Sequence, residues 1–176
     1  FWFIQSTMED WFKKDDIYDQ KIRNLFLQDL KKAINNEYDE WQDTAEECVS
    51  LVILLDQFSR NLFRNTSDSF AQDYKTRLIV NEAVDRGYLE ELDQNKIHFL
   101  LMPLIHSEDI SDHIFGHKLI DTYLKSFEHF DKVKKAWSDH TIPIKKFGRY
   151  PHRNKILKRK STPEEEKFLT EPNSSW

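Results

Sequence analysis

Apolar residues recur at spacings of three and four along most of the chain, and glycine and proline seldom interrupt them. Ile22, Leu25, Phe26 and Leu30 form one such stripe, with the spacing of one face of an α-helix. The 176 residues include only 3 glycines and 5 prolines, too few for the many turns of a β-sandwich. Strand-like alternation of apolar and polar residues is missing from the sequence. We therefore predict an all-α fold.

Capping signals divide this pattern into segments. Asp15 can cap the first segment, and Thr44 begins a capping box at the start of the most apolar one. Gly87 ends the third segment, and Thr162 opens a second capping box near the end of the chain. The predicted helices lie at about 17–34, 45–64, 67–86, 93–105, 108–127, 131–147 and 163–169. Helix-turn-helix pairs of roughly 40 residues predict stacked hairpins, with about 7–9 helices in all.

Several residues within these helices are predicted to shape them. Pro103 should kink the predicted helix 93–105 or end it early, because proline removes a backbone hydrogen bond. The segment 141–143, which ends in Pro143, should break the predicted helix 131–147 for the same reason. Gly116 should weaken the helix between them. Ser67 and Ser107 are the expected N-caps of the third and fifth helices.

The composition is that of a globular domain with a heavily charged surface. Hydrophobic residues make up 39% and charged residues 32% of the chain, and a chain of this length can bury one core, so we predict a single domain over 1–176. The net charge of −5 argues against nucleic acid or an acidic membrane as partner. No apolar run approaches the roughly 18 residues that a membrane span needs.

Cysteine usage indicates the compartment. Cys48 is the one cysteine, so an internal disulfide is excluded and a reducing environment is indicated. The first residues lack the basic and small-residue pattern of a signal peptide. We therefore predict a cytoplasmic protein, with Cys48 buried and inert near the start of the apolar helix.

The first group of residues that could carry chemistry lies in the second half of the apolar helix. Asp56, Arg60 and Arg64 are spaced i, i+4, i+8 and share a helical face, with Gln57 and Asn61 beside them. Two guanidiniums in such a stripe could bind a carboxylate or phosphate through paired hydrogen bonds. The alternative is an ordinary ion pair on a solvated face.

A second group follows Pro103. Ser107 reads as an N-cap with Glu108 and Asp109 in the first turn, which leaves His106 without a structural explanation. His106, Glu108 and Asp109 are therefore candidate ligand-binding residues, and His106 is also a candidate general acid or base.

Histidines continue along the helix that follows. Asp109, His113 and His117 are spaced i, i+4, i+8, a pattern that could ligate a divalent metal. The glutamate of the metalloprotease arrangement is missing between the histidines. We therefore predict an exposed histidine stripe and no metal.

The third group occupies a loop that glycine and proline hold away from helical geometry. Arg149, His152, Arg153 and Asn154 offer many hydrogen-bond donors within six residues, as an anion site on a preordered loop would. Their alternative role is to bond nearby helix ends and acidic side chains. His152 is the second candidate acid or base. We predict no cofactor, because the chain contains neither a glycine-rich phosphate loop nor a dinucleotide-binding fingerprint.

Three segments in this order carry a family resemblance: LLDQFSRN at 54–61, MPLIHSED at 102–109 and FGRYPHRN at 147–154. They closely resemble the bacterial domain-of-unknown-function family 924, and so do the opening Phe1-Trp2-Phe3 and the tail around Thr162. The resemblance implies stacked helix hairpins similar to tetratricopeptide-repeat proteins, around a concave face, and it implies no mechanism. The chain departs from the family at Lys158, where glycine is usual, and at His113, where glutamine is more frequent.

Three functions stay open at this point. The chain could be a binding module for an anionic small ligand or peptide, with the arginines of these segments as anchors. It could be a small hydrolase-like enzyme in which His106 or His152 acts as acid or base while arginines stabilise developing negative charge. The same residues could instead form a buried ion-pair network that ties helices together without any ligand.

Overall fold

A computed structural model describes residues 1–172, 174 and 175; residues 173 and 176 of the predicted domain lie outside the described residues. Helices and short helical turns make up its secondary structure, and the described residues contain no strand. The helices are α1 (Met8–Phe12), α2 (Asp16–Ile34), α3 (Ala45–Val52, Ile53–Phe58 and Ser59–Leu62 in continuous succession), α4 (Asp73–Asp85), α5 (Gln94–His106), α6 (Ile110–Tyr123), α7 (Phe130–Phe147) and α8 (Pro163–Phe168). The prediction of an all-α fold with about 7–9 helices is confirmed.

The capping signals are used largely as the sequence predicts. The Asp15 side chain accepts hydrogen bonds from two backbone N–H groups at the start of α2, and Thr44 and Thr162 cap α3 and α8. Gly87 and Gly148 follow α4 and α7 with φ of 79° and 67°, the left-handed conformation that glycine adopts without steric cost. These boundaries are local, so short sequence signals suffice to find them.

Two helices continue through prolines that were expected to interrupt them. The predicted break at 141–143 is wrong, since α7 runs unbroken from Phe130 to Phe147 with Pro143 inside it. Likewise α5 continues past Pro103 to His106. Each proline removes one backbone hydrogen bond, but both are buried, and packing of the apolar face holds the helix together despite that loss.

Gly116 has a packing role that its helix propensity did not suggest. A Cβ atom at this position would lie 2.2 Å from a ring carbon of Trp137. The glycine therefore lets α6 approach α7 closely, with the Trp137 ring filling the space where a side chain would stand. The interpretation of Gly116 as a weak point is corrected to one of close helix contact.

The predicted serine caps are also corrected. Ser67 lies in a short 3-10 turn, Ser67–Phe70, and α4 begins only at Asp73. Ser107 ends α5, and Asp109 is the N-cap of α6, accepting a hydrogen bond from the backbone N–H of Ser111. The Ser107 hydroxyl instead accepts from the backbone N–H of Asp109 at 3.0 Å, so both side chains shape the α5–α6 turn.

Two central helices organise the core. The helix α3 packs against α2, α4 and α5, and α5 packs in turn against α4, α6 and α7. Consecutive helices from α2 to α7 thus contact one another, as the predicted stacked hairpins require. Leu55, Leu100 and Leu104 are fully buried where these helices meet. No helix in the described part of the chain is long and apolar enough to cross a membrane.

Candidate functional site

The middle of α3 departs from α-helical geometry at the residues that carry polar side chains into the core. Ile53–Phe58 adopts a π-helix, a wider turn that is frequent at functional sites. All six of its residues are buried, including Asp56 and Gln57. The backbone carbonyl of Asp56 accepts a hydrogen bond from Nη1 of Arg60 at 3.2 Å. The π-segment therefore places a carboxylate inside the protein and couples it to the next turn.

Asp56 is the centre of a buried polar group. None of its side-chain surface is exposed, and its Oδ1 lies 3.0 Å from Nη1 of Arg60 and 2.8 Å from Nδ1 of His106. The Gln57 amide donates to the other oxygen, Oδ2, at 2.5 Å. Burial raises the pKa of Asp56, but Arg60 and His106 outweigh it and bring that pKa down to about 2. Asp56 is consequently an anion with every oxygen occupied.

His106 is held in one tautomer by this carboxylate. Because an ionised carboxylate only accepts hydrogen bonds, Nδ1 of His106 donates to Asp56 and Nε2 carries the lone pair. Burial, and then the positive charge of Arg60, lower the pKa of His106. The imidazole is neutral at pH 7, with 10% of its side-chain surface exposed. Its Nε2 atom therefore has the electronic form of a general base.

The group extends from Asp56 to the loop after α7 through a second carboxylate. Asp73 contacts Nη2 of Arg60 through Oδ1 and Nη1 of Arg153 through Oδ2, both at 3.0 Å. The guanidinium of Arg153 lies 4.5 Å from the ring centroids of both Phe70 and Tyr150. Asp56, Arg60, Asp73, His106 and Arg153 are called the central cluster below. It joins α3, α4, α5 and the loop.

Arg153 retains a donor that the protein does not use. The residue is 6% exposed, and its buried Nε has no hydrogen-bond partner among the described residues. Burial, only partly offset by Asp73, lowers the pKa of Arg153. A buried donor without an acceptor destabilises the folded chain, and such groups are rare unless they serve a function.

Glu108 belongs to a separate polar group on the other side of Tyr150. Its carboxylate pairs with both terminal nitrogens of Arg159, at 2.5 and 2.9 Å, and accepts the backbone N–H of Tyr150 at 2.8 Å. The Tyr150 hydroxyl donates to the carbonyl of Ile105. Glu108 thus anchors the loop to the end of α5, an outcome closer to the structural alternative for this residue.

Arg149 and Asn154 bind Glu165 in α8, and Asn154 also accepts a hydrogen bond from Nε of Arg159. Glu108, Arg149, Asn154, Arg159 and Glu165 are called the loop cluster below. Arg149 donates from Nε and Nη2 to the two carboxylate oxygens of Glu165, at 2.6 and 2.9 Å, and Asn154 donates to the same carboxylate at 3.2 Å. The guanidinium of Arg149, outweighing burial, lowers the pKa of Glu165 to about 2. Glu165 also accepts the backbone N–H of Thr162, so the second capping box and the loop share one acid.

Asn61 and Arg64 form a third group with α2. Both donate to Asp19, Asn61 at 2.7 Å and Arg64 at 2.8 and 2.9 Å from two nitrogens. The predicted i, i+4, i+8 stripe therefore divides: Asp56 and Arg60 join the central cluster, whereas Arg64 pairs with another helix. Most of the candidate residues are thus distributed over three separate contact groups.

His113 and His117 are not the exposed stripe that the sequence predicts. His113 is fully buried; its Nε2 donates to the carbonyl of Ser107 at 2.9 Å, and its Nδ1 lies 3.0 Å from Oγ1 of Thr141. His117 Nε2 contacts the same hydroxyl at 2.9 Å. The α6–α7 contact therefore buries His113 and half-buries His117, whereas Asp109 at the start of α6 is exposed. Nowhere in the described ranges do three or more His, Cys, Asp or Glu side chains form a group that could hold a metal.

His152 and His140 lie beside the central cluster around Tyr150. The ring centroids of Tyr150 and His152 are 5.4 Å apart, and those of His106 and His140 are 6.5 Å apart. Burial is the main cause that lowers the pKa of each of His140 and His152 to about 3. Neither ring contributes positive charge at pH 7. Of the two predicted acid–base candidates, His106 is oriented by the carboxylate of Asp56.

An open cavity of about 500 Å³ lies next to the α5–α6 turn. Glu108 and Asp109 are the two predicted residues that line it, together with Ser107, Arg77 and Gly148. Asp109 is engaged in capping α6. The cavity adjoins the loop cluster, and its lining does not include the members of the central cluster.

Sequence reasoning missed the acidic partners. Asp73, Asp19 and Glu165 each bind arginines that the sequence singled out, yet none was a candidate. Glu165 lies in the predicted capping box, which marked its position but explained it by local structure alone. Asp73 begins α4, 80 residues before Arg153 in the chain, and no spacing in the sequence connects the two.

Comparison with known proteins agrees with this architecture. A protein-family model described as “Bacterial protein of unknown function (DUF924)” matches residues 1–173. A solved structure of a protein of unknown function from Agrobacterium tumefaciens is similar, with a TM-score of 0.84 and 33% sequence identity. The match covers 92% of this chain and 89% of that one. No curated protein matches the chain.

Proposed function

The chain belongs to the DUF924 family of bacterial proteins of unknown function, and from this premise we propose that it binds a small anionic ligand through Arg60 and Arg153. The observation that carries the proposal is the unused buried donor of Arg153, on a guanidinium that shares its one carboxylate with Arg60. Arg60 pairs with both Asp56 and Asp73, whereas Arg153 pairs with Asp73 and keeps a free donor at Nε. A ligand carboxylate or phosphate would take up this hydrogen-bonding capacity.

The charge balance of the central cluster sets the conditions for binding. Two carboxylates offset two guanidiniums, and His106 is neutral, so the cluster carries no net charge at pH 7. A bound anion adds a negative charge beside His106, whose Nδ1 already lies on Asp56. Protonation of Nε2 would restore the balance, since a nearby negative charge favours the imidazolium. Binding should therefore take up a proton and be tighter at pH 6 than at pH 8.

The exposed part of the cluster is small, which limits the group it can take. The side chains of Arg60 and Asp73 are 20% and 17% exposed. This area suits a single carboxylate or phosphate group. A metabolite and the carboxyl end of a peptide both present such a group. Cys48 is a free, buried thiol, which favours the reducing cytoplasm as the compartment where the protein would meet either ligand.

A thermal-melt screen tests the proposal. We would titrate inorganic phosphate, succinate, citrate and N-acetyl-dialanine into the protein at pH 6 and pH 8. A ligand at 100 times its Kd should add about 2.7 kcal/mol of stability, or roughly 5–11 °C in Tm for a chain of this size. Arg153→Lys, which keeps the charge and loses the paired geometry, should abolish the shift, whereas Arg86→Lys on the surface should retain it. No shift with any compound, or a shift that survives Arg153→Lys, contradicts anion binding at this cluster.

A second function is favoured by one observation, the orientation of His106 by Asp56. In an esterase built on this pair, Nε2 of His106 takes a proton from water while the water oxygen adds to the substrate carbonyl carbon, and the carbonyl oxygen becomes an oxyanion. The oxyanion then re-forms the carbonyl as the bond to the leaving-group oxygen breaks, and the imidazolium returns the proton to that oxygen. Hydrolysis of p-nitrophenyl esters would test it: His106→Gln should remove the activity, and the rate should rise with pH through the pKa of His106. An equal rate in His106→Gln would exclude His106 as the base.

A further inference from the structure

A second cavity, of about 520 Å³, lies apart from the polar clusters. The opening segment of the chain, α1, the first turn of α5 and the turn between α6 and α7 form its walls. Its lining includes three aromatic rings, Phe3, Trp11 and Phe127, and two carboxylates, Asp93 and Glu128. No residue of the central cluster or of the loop cluster lines it.

The aromatic walls meet at an angle. The planes of Phe3 and Trp11 are inclined at 72°, with ring centroids 6.2 Å apart, so the two rings form a corner. Trp11 is fixed there because its indole N–H donates to the backbone carbonyl of Trp2 at 3.0 Å. The negative face of an aromatic ring attracts a cation that sits over it within about 6 Å of the ring centroid.

The charges around the cavity have the complementary sign. Glu128 is 79% exposed at its side chain, and Asp93 neutralises the positive end of α5 by accepting the backbone N–H of Lys96. The ammonium of Lys96 is itself bound to Asp93 and Glu46, at 3.1 and 2.7 Å. Two carboxylates therefore bind this one ammonium, and the group of three carries a net negative charge.

Two histidines lie beside these walls. The ring centroid of His129 is 5.3 Å from that of Phe127, and its Nε2 is 3.2 Å from Oε1 of Glu128. The ring centroid of His98 lies 6.5 Å from that of Phe127, and burial lowers the pKa of His98 to about 4. His98 is thus neutral at pH 7 and adds no positive charge beside Phe127.

We propose that this cavity binds an organic cation, an alkylammonium or guanidinium group, held in the corner of Phe3 and Trp11 and attracted by Asp93 and Glu128. Metal ions do not suit it, because hard metals require several converging oxygen ligands and the aromatic walls offer none. A free amine and the side chain of a basic peptide carry the same group.

Amide NMR with choline as the probe tests the proposal. Choline chloride, titrated at constant ionic strength, should shift the indole N–H signal of Trp11 and the amide signals of Asn95 and Ser126 saturably, with a Kd in the millimolar range expected of a partly exposed cation site. The neutral isostere 3,3-dimethyl-1-butanol should bind at least about fivefold more weakly, because it has the same shape and no charge. N-acetyl-lysine amide and the tripeptide acetyl-Ala-Lys-Ala-amide form the second arm. Tighter binding of the tripeptide would identify a peptide side chain as the occupant, and equal binding a free cation.

Two conservative substitutions separate this site from a fold effect. The variant Asp93→Asn/Glu128→Gln keeps the N-cap and the shape of the cavity and removes both charges, so it should weaken choline binding about fivefold or more with an unchanged amide spectrum elsewhere. The matched control Glu37→Gln/Asp85→Asn removes two exposed charges outside the cavity lining and should bind choline as the wild type does. Equal binding of choline and its isostere, undiminished binding in the double variant, or no saturable shift with any probe would overturn the proposal.

Discussion

Nδ1 of His106 lies 2.8 Å from Oδ1 of Asp56, a carboxylate with none of its side-chain surface exposed. The contact joins α3 to α5, the two helices at the centre of the core, across 50 residues of sequence. A buried anion is tolerated only when it is paired and hydrogen-bonded, and here Arg60, His106 and Gln57 supply those bonds. The central cluster consequently contributes to stability whatever ligand it takes.

Asp56→Asn tests this contribution. The amide keeps the shape but leaves the half-enclosed Arg60 with Asp73 as its remaining carboxylate, and breaking a buried pair on one side costs about 3–5 kcal/mol. Urea denaturation should therefore show a lower free energy of unfolding by roughly that amount. Asp39→Asn, at an exposed and longer contact with Lys75, should leave the midpoint almost unchanged. A loss below about 1 kcal/mol in Asp56→Asn would mean that the cluster does not hold α3 against α5.

Three partly buried histidines predict a loss of stability on mild acidification. The pKa of His98 is lowered to about 4, and those of His140 and His152 to about 3, chiefly by burial. In the unfolded chain the pKa of each is about 6.5. Below that pH the unfolded state binds more protons than the folded state does and is stabilised relative to it. Each histidine should lower the free energy of unfolding by up to about 1.4 kcal/mol per pH unit as the pH falls from about 6.5 towards the pKa of that histidine in the folded protein. Asp56, with its pKa lowered to about 2, adds a further loss only below about pH 4.

Denaturation at pH 7, 6 and 5 measures this slope. His140→Gln removes one titrating group and should make the fall between pH 6 and 5 less steep by about 1.4 kcal/mol. A free energy of unfolding that stays constant from pH 7 to pH 5 would show that these rings protonate in the folded protein without penalty.

Helix boundaries were predictable because their causes are local. Asp15, Thr44 and Thr162 cap helices with their own side chains, and Gly87 ends one through its own backbone angle, so a window of a few residues contains the reason. The π-segment Ile53–Phe58 had no such signal, since its wide turn depends on how α3 packs against α2 and α5. The continuity of α7 through Pro143 likewise depends on burial across the whole helix.

The candidate site was predictable in its residue types and not in its pairings. Arg60, His106 and Arg153 stand out in the sequence as donors in helices or loops that did not need them. Their carboxylates lie 4 to 80 residues away, and only the fold selects which acid each one meets. Arg64 illustrates the difference, because the sequence placed it on one helical face with Asp56 and Arg60, and the fold pairs it with Asp19.

Gly116→Ala distinguishes close packing from weak propensity. In an unconstrained helix this change would stabilise by about 1 kcal/mol, but here the new methyl group would overlap the ring of Trp137, 2.2 Å away. Overpacking of a core typically costs about 1–3 kcal/mol, so the net effect should be destabilising. Combining it with Trp137→Phe should recover part of that loss. A variant more stable than the wild type would refute the contact.

Arg149→Ala should lower the unfolding midpoint by less than Asp56→Asn does. The guanidinium is 29% exposed at its side chain, and Glu165 keeps its bonds to Thr162 and Asn154 after the change. The carboxylate therefore loses its charge partner but stays hydrogen-bonded. Denaturation of Arg149→Ala beside Asp56→Asn makes the comparison, and a larger loss in Arg149→Ala would place the main structural network in the loop cluster.

Lys158 occupies a backbone conformation that suits glycine. Its φ is 55°, in the left-handed region that costs a residue with a Cβ atom about 1–2 kcal/mol, at the position where the family resemblance led us to expect glycine. Lys158 therefore adopts the left-handed turn that glycine would adopt without strain. Lys158→Gly should raise the free energy of unfolding by about 0.5–1 kcal/mol, because relief of strain exceeds the entropy that glycine adds to the unfolded chain. Lys155→Gly, three residues earlier and without a positive φ, should do the opposite in the same urea titration. Destabilisation by Lys158→Gly would indicate that contacts of the lysine side chain outweigh its backbone strain.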